Sequence, residues 1–181
     1  MKIYCVGDSI TWGATLEEDI SRRWTDLVAA ETEHEVINCG LNGDTTTGML
    51  MRCHTQLFPQ KPDLILFLGG TNDICHTWEY RQACANIVSV VLNAREQGIP
   101  VMVGIPLPIV ARLLLPRPWA PDRDADFIAG QFEAYARCWR SGAGSGMCLR
   151  WISIVPSCGR TAPCGKNSSP MRSIPMLRAT A

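Results

Sequence analysis

The chain has 181 residues with 46% apolar and 19% charged side chains, enough to bury one substantial core and unlike a disordered or low-complexity chain. Its 17 basic and 17 acidic residues cancel, but residues 134–181 hold seven Lys or Arg and no Asp or Glu; no aromatic interleaving or recognised module accompanies these residues, so no nucleic-acid partner is expected. No apolar run reaches the roughly 18 residues of a membrane span, so no membrane partner is expected.

Ile3-Tyr4-Cys5-Val6 is rich in β-branched and aromatic residues and breaks at Gly7, as a buried strand ending in a tight turn does. A strand that begins so near Met1 leaves no room for a signal peptide, and a cytoplasmic location is expected. Ser9 follows on the turn. In open parallel sheets, ligands sit outside the carboxyl ends of the strands, which makes Ser9 a candidate nucleophile. A plainer reading is that Asp8 or Ser9 N-caps the next helix.

A helix is expected from Ser21 to Ala30, with Trp24, Leu27 and Val28 as its buried stripe. Glu35 to Asn38 reads as a second strand. Asn38-Cys39-Gly40-Leu41-Asn42-Gly43-Asp44-Thr45 leads from it into a helix over Thr45 to Leu57 that carries Met49, Leu50 and Cys53. Asp63 to Gly69 is a continuous apolar strand of the kind buried on both faces, and it runs into Gly70-Thr71-Asn72-Asp73. The longest helix candidate is Trp78 to Gln97, with Ala83, Ile87, Val90, Val91 and Ala94 on one side and Gly98 as its stop. Pro100 to Gly104 is a fourth strand, Ile105 to Pro121 a proline-rich surface loop, and Asp122 to Arg137 a further helix. Alternation of this kind predicts a parallel sheet between helix layers, a three-layer α/β/α, flavodoxin-like fold.

Three stretches, Gly7-Asp8-Ser9-Ile10-Thr11, Asn38 to Thr45 and Gly70-Thr71-Asn72-Asp73, each follow a predicted strand. In that order they resemble the first three sequence blocks of the SGNH (GDSL-type) hydrolases. The resemblance implies a serine ester hydrolase that acts on small acyl esters through an acyl-enzyme at Ser9. Its oxyanion hole would be the Ser9 backbone N–H, the Gly43 N–H and the Asn72 side-chain amide. The residue types suit that chemistry, because glycine lets backbone approach substrate and an Asn amide donates without titrating. Each has a plainer reading, Gly43 as a turn glycine and Asn72 as a helix cap. Asp44 and Asp73 are expected to hold their loops by local Asx-type bonds. Trp12, Met49, Leu107 and Trp119 could line an acyl pocket, or be core or loop residues.

The family's fourth block, Asp-x-x-His, which supplies the orienting acid and the base, is missing. The three histidines, His34, His54 and His76, all precede its place, and His76 alone lies where it could approach Ser9. The nine cysteines include no C-x-x-C pair, so no metal site, cofactor or disulfide framework is expected. Matching residues stop near Arg137, which divides the chain into a domain over 1–137 and an aberrant tail over 138–181.

That tail holds four of the nine cysteines and no acidic residue. Such a composition is compatible with out-of-frame translation. Read from the third base of each codon, Trp151-Ile152 must give aspartate, and Arg150 to Pro156 allow Val-Asp-Phe-Tyr-Arg-Pro. In the same frame Pro170 to Thr180 permit Asp-Ala-Leu-His-Pro-Asn-Ala-x-Gly-His. A one-base shift between about Arg137 and Met147 would thus remove the last strand and the Asp/His block, impair catalysis and leave a bare sheet edge. The alternative expectation is an inactive member that binds an acyl or carbohydrate ligand. Oligomeric state is not readable.

Overall fold

The computed structural model describes residues 1–14, 16, 20–106, 125–142 and 151–153. Within them lie five strands, β1 (Lys2–Gly7), β2 (Glu35–Gly40), β3 (Leu64–Leu68), β4 (Val101–Ile105) and β5 (Trp151–Ser153). They form one parallel sheet in the order β2-β1-β3-β4-β5. The helices are α1 (Ser9–Trp12), α2 (Trp24–Glu31), α3 (Thr46–Arg52), α4 (Thr71–Thr77), α5 (Arg81–Glu96) and α6 (Ala125–Gly142).

Right-handed crossovers put α2 on one face, because β1 to β2 moves one way along the sheet, and α3, α5 and α6 on the other, because every later step moves back. The contacts agree: α2 packs on β2, and α5 touches both α3 and α6. The expected α/β/α architecture is therefore present. The core follows from the strand sequences, since Tyr4, Val6, Ile65, Phe67 and Val103 are all almost fully buried. The predicted stripe of α5 meets them, with Ala83, Ile87, Val90, Val91 and Ala94 buried.

Four elements differ from expectation. The long helix predicted from Trp78 is split, because Trp78 takes a left-handed φ of 60° and ends α4 before α5 begins at Arg81. Leu27 is 49% exposed, and α2 turns Thr25 inward in its place. The reason is polar: Thr25 Oγ1 accepts a 3.0 Å hydrogen bond from Asn38 Nδ2 on β2. The helix expected to end at Arg137 continues to Gly142 and buries Trp139, so the boundary placed after Arg137 falls inside α6. Finally, the β4 edge expected to be bare is paired with β5, Val103 opposite Trp151 and Ile105 opposite Ser153. The expected loop over 107–121 lies outside the described residues.

Two glycines test how the strand ends and helices are packed. A Cβ on Gly40 would overlap the backbone nitrogen of Trp12, whereas one on Gly130 in α6 would meet nothing within 4 Å. Gly40→Ala is expected to destabilise by more than ~2 kcal/mol, and Gly130→Ala to stabilise by ~0.5–1 kcal/mol, measured by urea unfolding.

Candidate active site

The sheet order places β1 between β2 and β3, so the three loops leaving these strands are neighbours. Their last residues stand level, Gly7 opposite both Gly40 and Leu68. Crossovers leave β1 and β3 toward opposite faces, which opens a crevice at this switch point. Ser9, Gly43 and Asn72 lie two, three and four residues beyond that row.

Asp8 caps α1, its Oδ1 accepting from the Ile10 N–H at 2.9 Å, which makes the plainer reading of Asp8 correct. Ser9 is then the first residue of the helix and half-buried. Its carbonyl accepts from the Gly13 and Ala14 N–H groups at 2.9 and 3.1 Å, which sets the short turn. Gly43 has φ of 75° and is exposed, and a Cβ there would meet nothing within 4 Å. Backbone conformation, rather than crowding, calls for glycine at this turn. Asn72 is not a cap: Gly70 occupies that position, and Asn72 is the second residue of α4. Its Nδ2 donates to the Asp44 carbonyl at 2.8 Å, which joins the third loop to the second.

The two aspartates expected to act locally reach much farther. Asp73, buried in α4, accepts from the Thr46 N–H at 2.9 Å and from its hydroxyl at 2.5 Å. Asn86 of α5 then donates to Thr46 Oγ1 and Thr47 Oγ1, both at 2.9 Å. Asp44 pairs with Arg52, whose Nε and Nη2 lie 2.9 and 2.6 Å from Oδ2. The same guanidinium donates to the Cys39 carbonyl at 2.8 Å and, more weakly, to the Gly7 carbonyl at 3.5 Å. Gly7 O also accepts from the Leu41 N–H at 3.0 Å. One cation thus holds the ends of β1 and β2 and the second loop together.

Arg52, Asn38, Asn86 and Tyr135 all support the site, and none was given a part in it from the sequence. Asn38 Nδ2 donates to the Thr11 carbonyl at 2.7 Å while its Oδ1 accepts from the Gly40 N–H at 2.9 Å, fixing α1 against β2. Tyr135 of α6 donates through its hydroxyl to the Gly69 carbonyl at 2.8 Å. Its ring lies where a Gly70 Cβ would come within 3.0 Å, and Gly70 has φ of 105°.

All three histidines are exposed. His34 precedes β2, His54 lies 3.0 Å from Asn93 Nδ2, and His76 is in the last turn of α4. None is hydrogen-bonded to Ser9 among the described residues. Of the four pocket candidates, Met49 is core at 0% exposure and Trp12 is exposed beside the site, with the Arg23 guanidinium 5.2 Å from its ring. Leu107 and Trp119 lie outside the described residues.

The electrostatic load falls on Asp8. It is 1% exposed, and its Oδ2 has no partner among the described residues. Burial is the main cause that pushes its carboxyl up to about 6. The Ile10 N–H opposes the shift, and the Asp44 and Asp73 charges add to it. A carboxyl raised from its ordinary 3.8 binds its proton more tightly when folded, so stability is lost as pH rises from about 4 through 6. Asp8→Asn keeps an oxygen for the cap and has no charge to bury. The variant is expected to exceed the wild type by about 1–3 kcal/mol above pH 7, with the gap closing below pH 4. Urea unfolding of both proteins across that range checks this.

The chain is similar to several known proteins. Over 109 residues the chain is 34% identical to Esterase TesA of Pseudomonas aeruginosa, covering 57% of this chain and 53% of the relative. It is 25% identical over 119 residues to the Bacillus subtilis lipoprotein YqeF, 60% of this chain and 49% of that one. The chain therefore spans about half the length of these curated relatives. Among solved structures, it superposes on a member of the lipolytic protein G-D-S-L family from Veillonella parvula with a TM-score of 0.66 at 22% identity, covering 83% of this chain and 76% of that one. A crystal structure of TesA gives 0.64 at 24% identity, covering 83% and 77%. Both likenesses are likenesses of fold. The model of the GDSL-like Lipase/Acylhydrolase family matches residues 5–144, from the middle of β1 to just past the end of α6, and the chain belongs to that family.

Proposed function

We propose that the chain is a serine ester hydrolase for small acyl esters, working through an acyl-enzyme at Ser9 and impaired by loss of the Asp/His block. The observation that carries this reading is the hydrogen-bonded union of the three loops bearing Ser9, Gly43 and Asn72 at one end of the sheet. In this mechanism Ser9 Oγ attacks the ester carbonyl. The oxygen that becomes negative is met by the Ser9 and Gly43 N–H groups and by the second Nδ2 proton of Asn72, the first being held by Asp44 O. The alcohol then leaves, and water releases the acid. Binding of Nδ2 to a fixed carbonyl orients the amide before substrate arrives, so little reorganisation is left to the reaction.

The weak step is removal of the Ser9 proton. Loss of a triad histidine lowers turnover by as much as about 10⁶ where the triad works as a unit. We infer that the reading frame shifts beyond the end of α6. The helix that runs to Gly142 and the family match to residue 144 support a shift within the few codons before Met147. The coding DNA read from the Phe132 codon is expected to encode Asp-x-x-His in the shifted frame. A codon set incompatible with that block would make the tail genuine.

The chain repaired in that frame is expected to hydrolyse p-nitrophenyl acetate at least ~10³ faster than the present one, and Ser9→Ala to abolish both the turnover and fluorophosphonate labelling. Asn72→Ala should cost about 10²–10³ in kcat of the repaired chain with a smaller change in KM. An inert repaired chain would overturn the hydrolase reading. Ligand-induced stabilisation without labelling would instead support an inactive member that binds an acyl or carbohydrate ligand.

A further inference from the structure

Thiols pair across the α5–α6 contact. Cys84, in the second turn of α5, is 8% exposed, and its thiol is hydrogen-bonded to that of Cys138 on α6. Cys138 is exposed, and it is the one exposed cysteine among those described. The other described cysteines, Cys5, Cys39, Cys53 and Cys75, are buried or half-buried. Among the described residues, the Cys84–Cys138 pair alone thus couples an exposed cysteine to a buried one. The two helices are in contact and the thiols touch, so rotation of the two side chains toward each other is what a disulfide of ~2.05 Å requires.

We propose that Cys84 and Cys138 are a reversible disulfide site that ties α5 to α6. With a low-molecular-weight disulfide as oxidant, the Cys138 thiolate attacks one sulfur, forms a mixed disulfide and releases one thiol. The Cys84 thiolate then attacks the Cys138 sulfur, displaces the second thiol and leaves Cys84–Cys138 joined. Two protein thiols lose two protons and two electrons, and the oxidant becomes two thiols. Burial pushes the Cys84 thiol up, as does its contact with Cys138. Capping of Cys138 takes away that second effect, so the first exchange favours the second.

The tie lies next to the candidate site. Cys138 is three residues beyond Tyr135, on the same side of α6, and Tyr135 holds the Gly69 carbonyl at the start of the third loop. A cross-link fixes the helix that supports this loop. The chemistry does not depend on the ester-hydrolase reading, since it needs only the two helices in contact.

Trypsin provides a clean readout, because Cys84 is the one cysteine in Gln82–Arg95 and Cys138 the one in Cys138-Trp139-Arg140. After incubation of the full chain with oxidised glutathione, alkylation and digestion, these peptides are expected joined at their summed mass less two hydrogens. The joined species should vanish with dithiothreitol. The oxidised protein should melt roughly 5–10 °C higher than the reduced one, as closure of a long loop implies, and Cys84→Ala should lose the part of the rise due to this pair. The proposal is overturned if Cys138 is recovered as its glutathione adduct, or joined to another cysteine, while Cys84 remains fully alkylated. The peptide map needs only the wild-type chain, so its outcome stands even where a variant fails to fold.

Discussion

The guanidinium of Arg52 is the point on which the candidate site rests. It reaches the carbonyls that end β1 and β2 and, with two nitrogens, the Asp44 carboxylate. Strand-end carbonyls in a parallel sheet lack a next ladder partner and would otherwise be left to solvent or unsatisfied. Here one planar donor set serves the Cys39 carbonyl and, beside the Leu41 N–H, that of Gly7, as a fork geometry allows and a lysine point charge would not. The Asp44 it holds presents its own carbonyl to Asn72. The second loop therefore positions the third, and the cation positions both.

A second constraint is charge. Asp8, Asp44 and Asp73 crowd the same end of the sheet, and each is buried. Asp44 is neutralised by Arg52. Asp73 is satisfied by the backbone and hydroxyl of Thr46, which Asn86 holds in turn. Asp8 has a single N–H on one oxygen and bears the strain of the cluster, which is why burial raises its carboxyl so far. Strain of this kind is common where function, rather than stability, sets the residue. The cap it provides fixes the start of α1, and Ser9 rides on that turn.

The third loop is braced from the far side by α6. Tyr135 fills the space that glycine leaves at position 70 and binds the carbonyl before it. This explains why a helix more than 60 residues downstream belongs to the site's architecture, and why the helix continues through Trp139 into the core.

Strand positions and helix layers were readable in the sequence, because apolar runs, turn residues and short motifs are local signals. Thus β1 and β3 stand where their patterns placed them, and Ser9, Gly43 and Asn72 follow the ends of β1, β2 and β3. Arg52, Asn38, Asn86 and Tyr135 could not be read this way. Each has a partner far along the chain, up to 66 residues away for Tyr135, and a polar side chain gives no sign of which distant group it will meet. The same holds for Asp44 and Asp73, whose motifs suggest local bonds and whose bonds are long-range. The left-handed Trp78 that splits the predicted helix is likewise a choice of packing, made against its own backbone preference. Sequence by itself determined which groups are available for chemistry and on which turns they sit. Tertiary structure alone decided how they are held, because it is the parallel order of the strands that brings the three loops side by side, two of them bound by Arg52 and the third joined to Asp44 through Asn72.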